Sequence, residues 1–195
     1  MTDELRTELT SIAKGIWWLV LLRGIFAIIF GIIAIVAPAA ALTGIAIVVG
    51  IYLLVDGITE IVHAVQTRRS DRRWGWLLFQ GIVSMLGGLA AIILPGVAGL
   101  VGGLVVLWTI VIYSLMHGIL GIASAAGVGE APGRGWAIVA GVVAIVFAVL
   151  LAIVILVNPG ASVLSLIWVA GIYAIIFGIM LVVAAVKVRR HIRSA

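Results

Sequence analysis

Cysteine is absent from the 195-residue chain, which excludes a disulfide framework, a thiolate nucleophile and any cysteine-ligated metal. Charge is nearly as scarce: 10% of the residues are Asp, Glu, Lys or Arg, against about 25% in an ordinary soluble domain. With 65% hydrophobic residues and a mean hydropathy of +1.41, there is too little polar surface to coat a globule in water. That leaves a membrane protein. Proline is limited to four residues, and in the interior of a helical run each one would break or kink the helix.

The few charges are unevenly placed. Positions 15–67 hold only Arg23, Asp56 and Glu60, while 74–129 and 135–186 hold none, which leaves three apolar blocks of 53, 56 and 52 residues. A spanning helix needs about 20 apolar residues, so each block accommodates two spans and a short turn. The chain reads as an all-α membrane protein of six transmembrane helices, built as three repeated helical hairpins. Its segments are an N-terminal cytoplasmic or interfacial stretch (1–15), a single membrane domain (16–186, with hairpin repeats 16–65, 74–124 and 135–186) and a basic tail (187–195).

A formal charge of +5 and a pI near 10.5 would suggest nucleic acid for a soluble protein, so the placement of the basic residues decides. Arg6 and Lys14 precede the first block, Arg68, Arg69, Arg72 and Arg73 separate the first two, Arg134 precedes the third, and Lys187, Arg189, Arg190 and Arg193 follow it. The turns inside the blocks, 37–41, 95–99 and 158–162, carry no Lys or Arg. By the positive-inside rule both termini and both inter-block loops are cytoplasmic. Nucleic acid is set aside as a partner, and membrane lipids with anionic headgroups take its place. The run from Ile16 to Val36 exceeds the roughly 7–15 residues of a signal-peptide core and reads as a retained first helix. Before it, Leu5, Leu9, Ile12 and Ile16 are spaced either for a short interfacial amphipathic helix or for an extension of the first span.

The blocks repeat one another. Trp18 leads to Gly24-Ile25, Trp74 and Trp76 to Gly81-Ile82, and Trp136 to Gly141-Val142; seven residues after each glycine stands Gly31, Gly88 or Ala148. Pro38 and Pro95 each follow the first glycine by fourteen residues, and Pro159 arrives four residues later, about one extra helical turn. Tyr52, Tyr113 and Tyr173 then precede Gly57-Ile58, Gly118-Ile119 and Gly178-Ile179 by five. Lipid supplies no hydrophobic drive between helices, so small residues on one face are how they pack. The glycines Gly24, Gly31, Gly57, Gly81, Gly88, Gly118, Gly141 and Gly178 are therefore assigned to helix packing. Trp17, Trp18, Trp74, Trp76 and Trp136 form an aromatic belt at the cytoplasmic interface.

This ordered frame resembles the HdeD family of small bacterial acid-resistance membrane proteins, over nearly the whole chain from Trp17 to Val186. The resemblance implies a bacterial inner-membrane protein linked to acid or envelope stress, and it brings no catalytic residues with it.

Ionisable residues inside a membrane are costly and are the first candidates for function. Arg23 and Asp56 lie at nearly matching depths, about 10 and 13 Å from the cytoplasmic end at 1.5 Å per residue, and each directly precedes a repeat glycine. Gln80 and His117 occupy those positions in the second block, Ala140 and Phe177 in the third. Polarity changes together at the two positions, which predicts that they face each other within each hairpin: an ionic Arg23/Asp56 pair and a hydrogen-bonded Gln80/His117 pair. Glu60 and His63 extend the Asp56 stripe towards the cytoplasm, either as a proton path or as residues at headgroup depth that meet Arg68 or Arg69. His117 is a candidate for acid sensing, since histidine is the residue type suited to a switch at mildly acidic pH, although a lone histidine is more often a packing residue. His63, His117 and His191 lack metal-ligand spacing, and neither a metal nor a cofactor is expected.

No nucleophile is paired with a base and no carboxylates face a cleft, so an enzyme is not expected. Two readings remain. One is a structural or stress-associated protein acting through lipids, a homo-oligomer or a membrane-protein partner. The other is a small transporter or proton pore, with three hairpins around a pseudo-threefold axis and a cytoplasm-facing vestibule at Arg23, Asp56, Glu60, Gln80 and His117.

Overall fold

A computed structural model describes residues 2–68, 73–127 and 133–194, with side chains over 17–68, 73–125 and 133–187. The described residues form six helices: α1 (Thr2–Val36), α2 (Pro38–Thr67), α3 (Trp74–Ile93), α4 (Pro95–Gly127), α5 (Arg134–Val157) and α6 (Pro159–Ser194). Each holds a segment long and apolar enough to cross a membrane. These are the six spans in three blocks that the charge placement predicts. The leader's backbone runs into α1 without a break; the side chains of Leu5, Leu9, Ile12 and Ile16, and the arginines Arg69 and Arg72, lie outside the described residues.

Inside each block a single residue, Ala37, Leu94 or Asn158, separates the two helices, and a proline follows at once. The pyrrolidine ring disfavours the α conformation in the residue before it, yet suits the first position of a new helix. Leu94 (φ −125°, ψ 60°) and Asn158 (φ −147°, ψ 84°) accordingly leave the helical region. At the third turn the Ala161 N–H donates to Asn158 Oδ1 at 3.1 Å, a side-chain cap on α6. Ser162 Oγ lies 2.8 Å from the Asn158 carbonyl and 3.1 Å from that of Val154, so its hydroxyl ties α6 back to the end of α5.

The chain divides into two compact units, Met1–Ala41 with Ile167–Ala195, and Leu42–Leu166. In the first unit α1 and α6 run antiparallel. A Cβ on Gly24 would stand 2.9 Å from the Gly178 carbonyl oxygen, and one on Gly31 would stand 2.6 Å from that of Gly171. The Trp168 indole N–H donates to the Ile35 carbonyl at 3.0 Å, satisfying a group in the last turn of α1 that has few intrahelical options.

The second unit repeats this packing twice. In α2 and α3, Gly57 meets Gly81 and Gly50 meets Gly88, with added Cβ atoms 2.6–3.0 Å from the facing carbonyls. In α4 and α5, Gly118 meets Gly141 at 2.7–2.8 Å by the same measure, and Val111 and Ala148 are buried one heptad along. Small residues seven apart keep one face towards one partner, the period of a shallow left-handed crossing. Leu107, Val111, Ala148, Ile155 and Val163 form the buried apolar cluster, with Leu42, Leu100, Leu104, Leu151, Ala152 and Leu166 against it. By contrast α3 and α4, the two arms of one block, make few contacts.

Candidate functional site

Within the Leu42–Leu166 unit the closest backbone approaches join the second helix of one block to the first helix of the next, Gly57 to Gly81 and Gly118 to Gly141. They are not made between the arms of one hairpin. Sequence spacing carries a sign of this. From Pro95 to Gly118 there are 23 residues, against 19 from Pro38 to Gly57 and from Pro159 to Gly178. The extra turn of α4 matches the extra turn before Pro159 in α5, and these two helices are packing partners across a loop.

This pairing overturns the predicted Gln80/His117 hydrogen bond. Gln80 is exposed on α3 and His117 is exposed on α4, and no hydrogen bond joins them. His117 instead stacks on Tyr113, one turn earlier in its own helix, with ring centroids 5.8 Å apart and planes inclined by 13°. Phe177 stacks likewise on Tyr173, at 5.9 Å and 8°. The physical reason is register. Gln80 lies 14 residues before Leu94 and His117 lies 23 after it, a mismatch of about 13 Å at 1.5 Å per residue, on arms that make few contacts. Arg23, in the first unit, is exposed, and Asp56, in the second, is half-buried.

The α2/α3 crossing gathers polar residues instead. Asp56 precedes Gly57, Gln80 precedes Gly81, and a Cβ on Gly81 would stand 3.0 Å from Glu60 Cβ. At 100° per residue Asp56 and Glu60 fall on the same side of the Gly57 contact line, and the antiparallel relation puts Gln80 on that side too. At the α4/α5 crossing the corresponding positions hold His117, Gly121 and Ala140. Glu60 Oε2 is buried and has no hydrogen-bond partner, a costly state for a carboxyl oxygen. His63 is exposed. Arg68, which the sequence offers as a partner for Glu60 or His63, sits 5.0 Å above the Trp74 ring, a cation–π contact that fastens the start of α3 to the end of α2.

At the proline ends the second helices meet through apolar side chains. A Cβ on Gly99 of α4 would stand 2.8 Å from Leu42 Cγ of α2, and one on Gly103 would collide with Val163 Cγ1 of α6. Two glycines one turn apart on one face therefore let α4 lie close to both neighbours. Hydroxyls nearby are spent on their own helices: Ser165 donates to the Ala161 carbonyl, and Thr109 to that of Val105. Among the described residues no group of three or more His, Asp or Glu side chains is placed to hold a metal ion.

A family described as a short repeat of unknown function (DUF308) matches the chain three times, over residues 22–93, 79–153 and 146–195. The chain belongs to this family. The first two matches each run from one block into the next and so contain a complete glycine crossing, Gly57/Gly81 or Gly118/Gly141. No curated protein and no solved structure matches the chain significantly.

Proposed function

We propose that this DUF308 protein is a non-enzymatic protein of the bacterial inner membrane, with both termini cytoplasmic, that acts structurally through lipids or membrane partners. The resemblance to the HdeD family supports placing that role in acid or envelope stress. The observation that carries the structural reading is the apolar meeting of Leu42, Gly99, Leu100, Gly103, Leu104 and Val163 at the proline ends. Ions crossing beside these helices would meet hydrocarbon there, and an unpaired charge in such surroundings costs several kcal/mol or more. Proton flux into vesicles reconstituted with the protein tests it: wild type and Asp56→Asn should both match empty vesicles. Flux in wild type that is lost in Asp56→Asn overturns it.

The second reading, a transporter with a cytoplasm-facing polar vestibule, draws on the unpartnered Glu60 oxygen beside Asp56 and Gln80. Flux that depends on Glu60 and survives Asp56→Asn would favour that reading.

A further inference from the structure

The geometry points to a hinge at Leu94, about which two rigid helix pairs, α2/α3 and α4/α5, swing within the Leu42–Leu166 unit. Three independent features converge on it. First, the pairs are held by backbone against backbone: at Gly57/Gly81, Gly50/Gly88 and Gly118/Gly141 not even a methyl group fits without displacement. Sliding or opening such a crossing forfeits many close contacts together. Second, the extra turn of α4 is matched in α5, so the pair behaves as one piece in length as well as in packing. Third, the link between the pairs is slight. α3 and α4 make few contacts, a single non-helical residue joins them (φ −125°, ψ 60°), and Pro95 removes one backbone donor from the junction.

Hinges are a few element-terminal residues that absorb a φ/ψ change while packed bodies move rigidly. Leu94 is so placed, with the Leu42/Gly99 contact beside it as the fulcrum. Swinging there widens or narrows the gap between α3 and α4 at the loop end, where Gln80 and His117 are exposed, and leaves both glycine crossings intact. The moving parts thus differ from the hairpin repeats that the sequence displays.

The chain's lack of cysteine makes the test direct. Spin labels on exposed positions report three distances by double electron–electron resonance: Leu120→Cys with Val139→Cys across α4/α5, Val55→Cys with Val83→Cys across α2/α3, and Val83→Cys with Val105→Cys across α3/α4. The expected result is narrow, unchanged distributions within both pairs and a shift of several ångström across α3/α4 between detergent micelles and lipid nanodiscs. Three narrow and invariant distributions would overturn the hinge. A distribution that broadens within a pair while α3/α4 stays fixed would overturn the choice of rigid bodies.

Discussion

A methyl group at Gly57 would lie 2.6 Å from both the Gly81 oxygen and the Met85 nitrogen, whereas at Gly44 it would meet nothing within 4 Å. Gly57→Leu should therefore destabilise the protein by about 1–3 kcal/mol or more through overpacking. Gly44→Ala should be neutral or gain up to about 1 kcal/mol of helix propensity. Unfolding in mixed micelles with rising dodecyl sulfate compares the two, and equal effects would contradict the assignment of close contact. Glu60→Met removes the unpartnered buried oxygen at nearly constant length, and should stabilise by about 1–3 kcal/mol in the same assay. Destabilisation would mean that the carboxyl group has a partner in the membrane. The close-packing glycines were legible from spacing alone. The stacking of His117 on Tyr113 follows from their i, i+4 spacing, whereas matched polarity at the repeat positions points across the block.

Each first helix ends, and each second helix begins, where a proline makes the preceding residue leave the α region, so the boundaries at Pro38, Pro95 and Pro159 were readable in advance. Side-chain hydrogen bonds differ between two of those boundaries. Asn158→Ala should cost about 1 kcal/mol by removing the acceptor for the Ala161 N–H. Trp168→Phe should cost about 0.5–1.5 kcal/mol by stranding the Ile35 carbonyl. Thermal unfolding in nanodiscs measures both, and no loss in Trp168→Phe would show that water or lipid satisfies that carbonyl. The pairing of elements was harder to read. A face of small residues announces that a backbone comes close without saying which one does. The matched extra turn of α4 and α5 was the one sequence signal that named a partner.

For the whole molecule, large apolar side chains stand exposed along every span, among them Phe26, Tyr52, Leu86, Val105, Phe147 and Val169, so much of the helical surface faces lipid or another protein. The basic residues gathered at the loops and tail predict one orientation. Single cysteines placed at Arg68 or Arg134 should react with a membrane-impermeant maleimide only in inverted vesicles or opened cells, while one at Val97 should react in intact spheroplasts; the reverse pattern would invert the topology. Hydropathy, charge placement and proline sterics act over a few residues, which is why the sequence by itself determined a membrane protein of six spans, broken at three prolines and lined by repeated small faces. Tertiary structure decided which faces meet. The one-residue turn at Leu94 leaves α3 and α4 with few contacts, while facing glycines let α2 lie antiparallel against α3, and α4 against α5, at roughly 8–10 Å or less. The polar residues were thereby sorted by helix crossing, with Asp56, Glu60 and Gln80 on one flank and His117 on its own helix beside Tyr113.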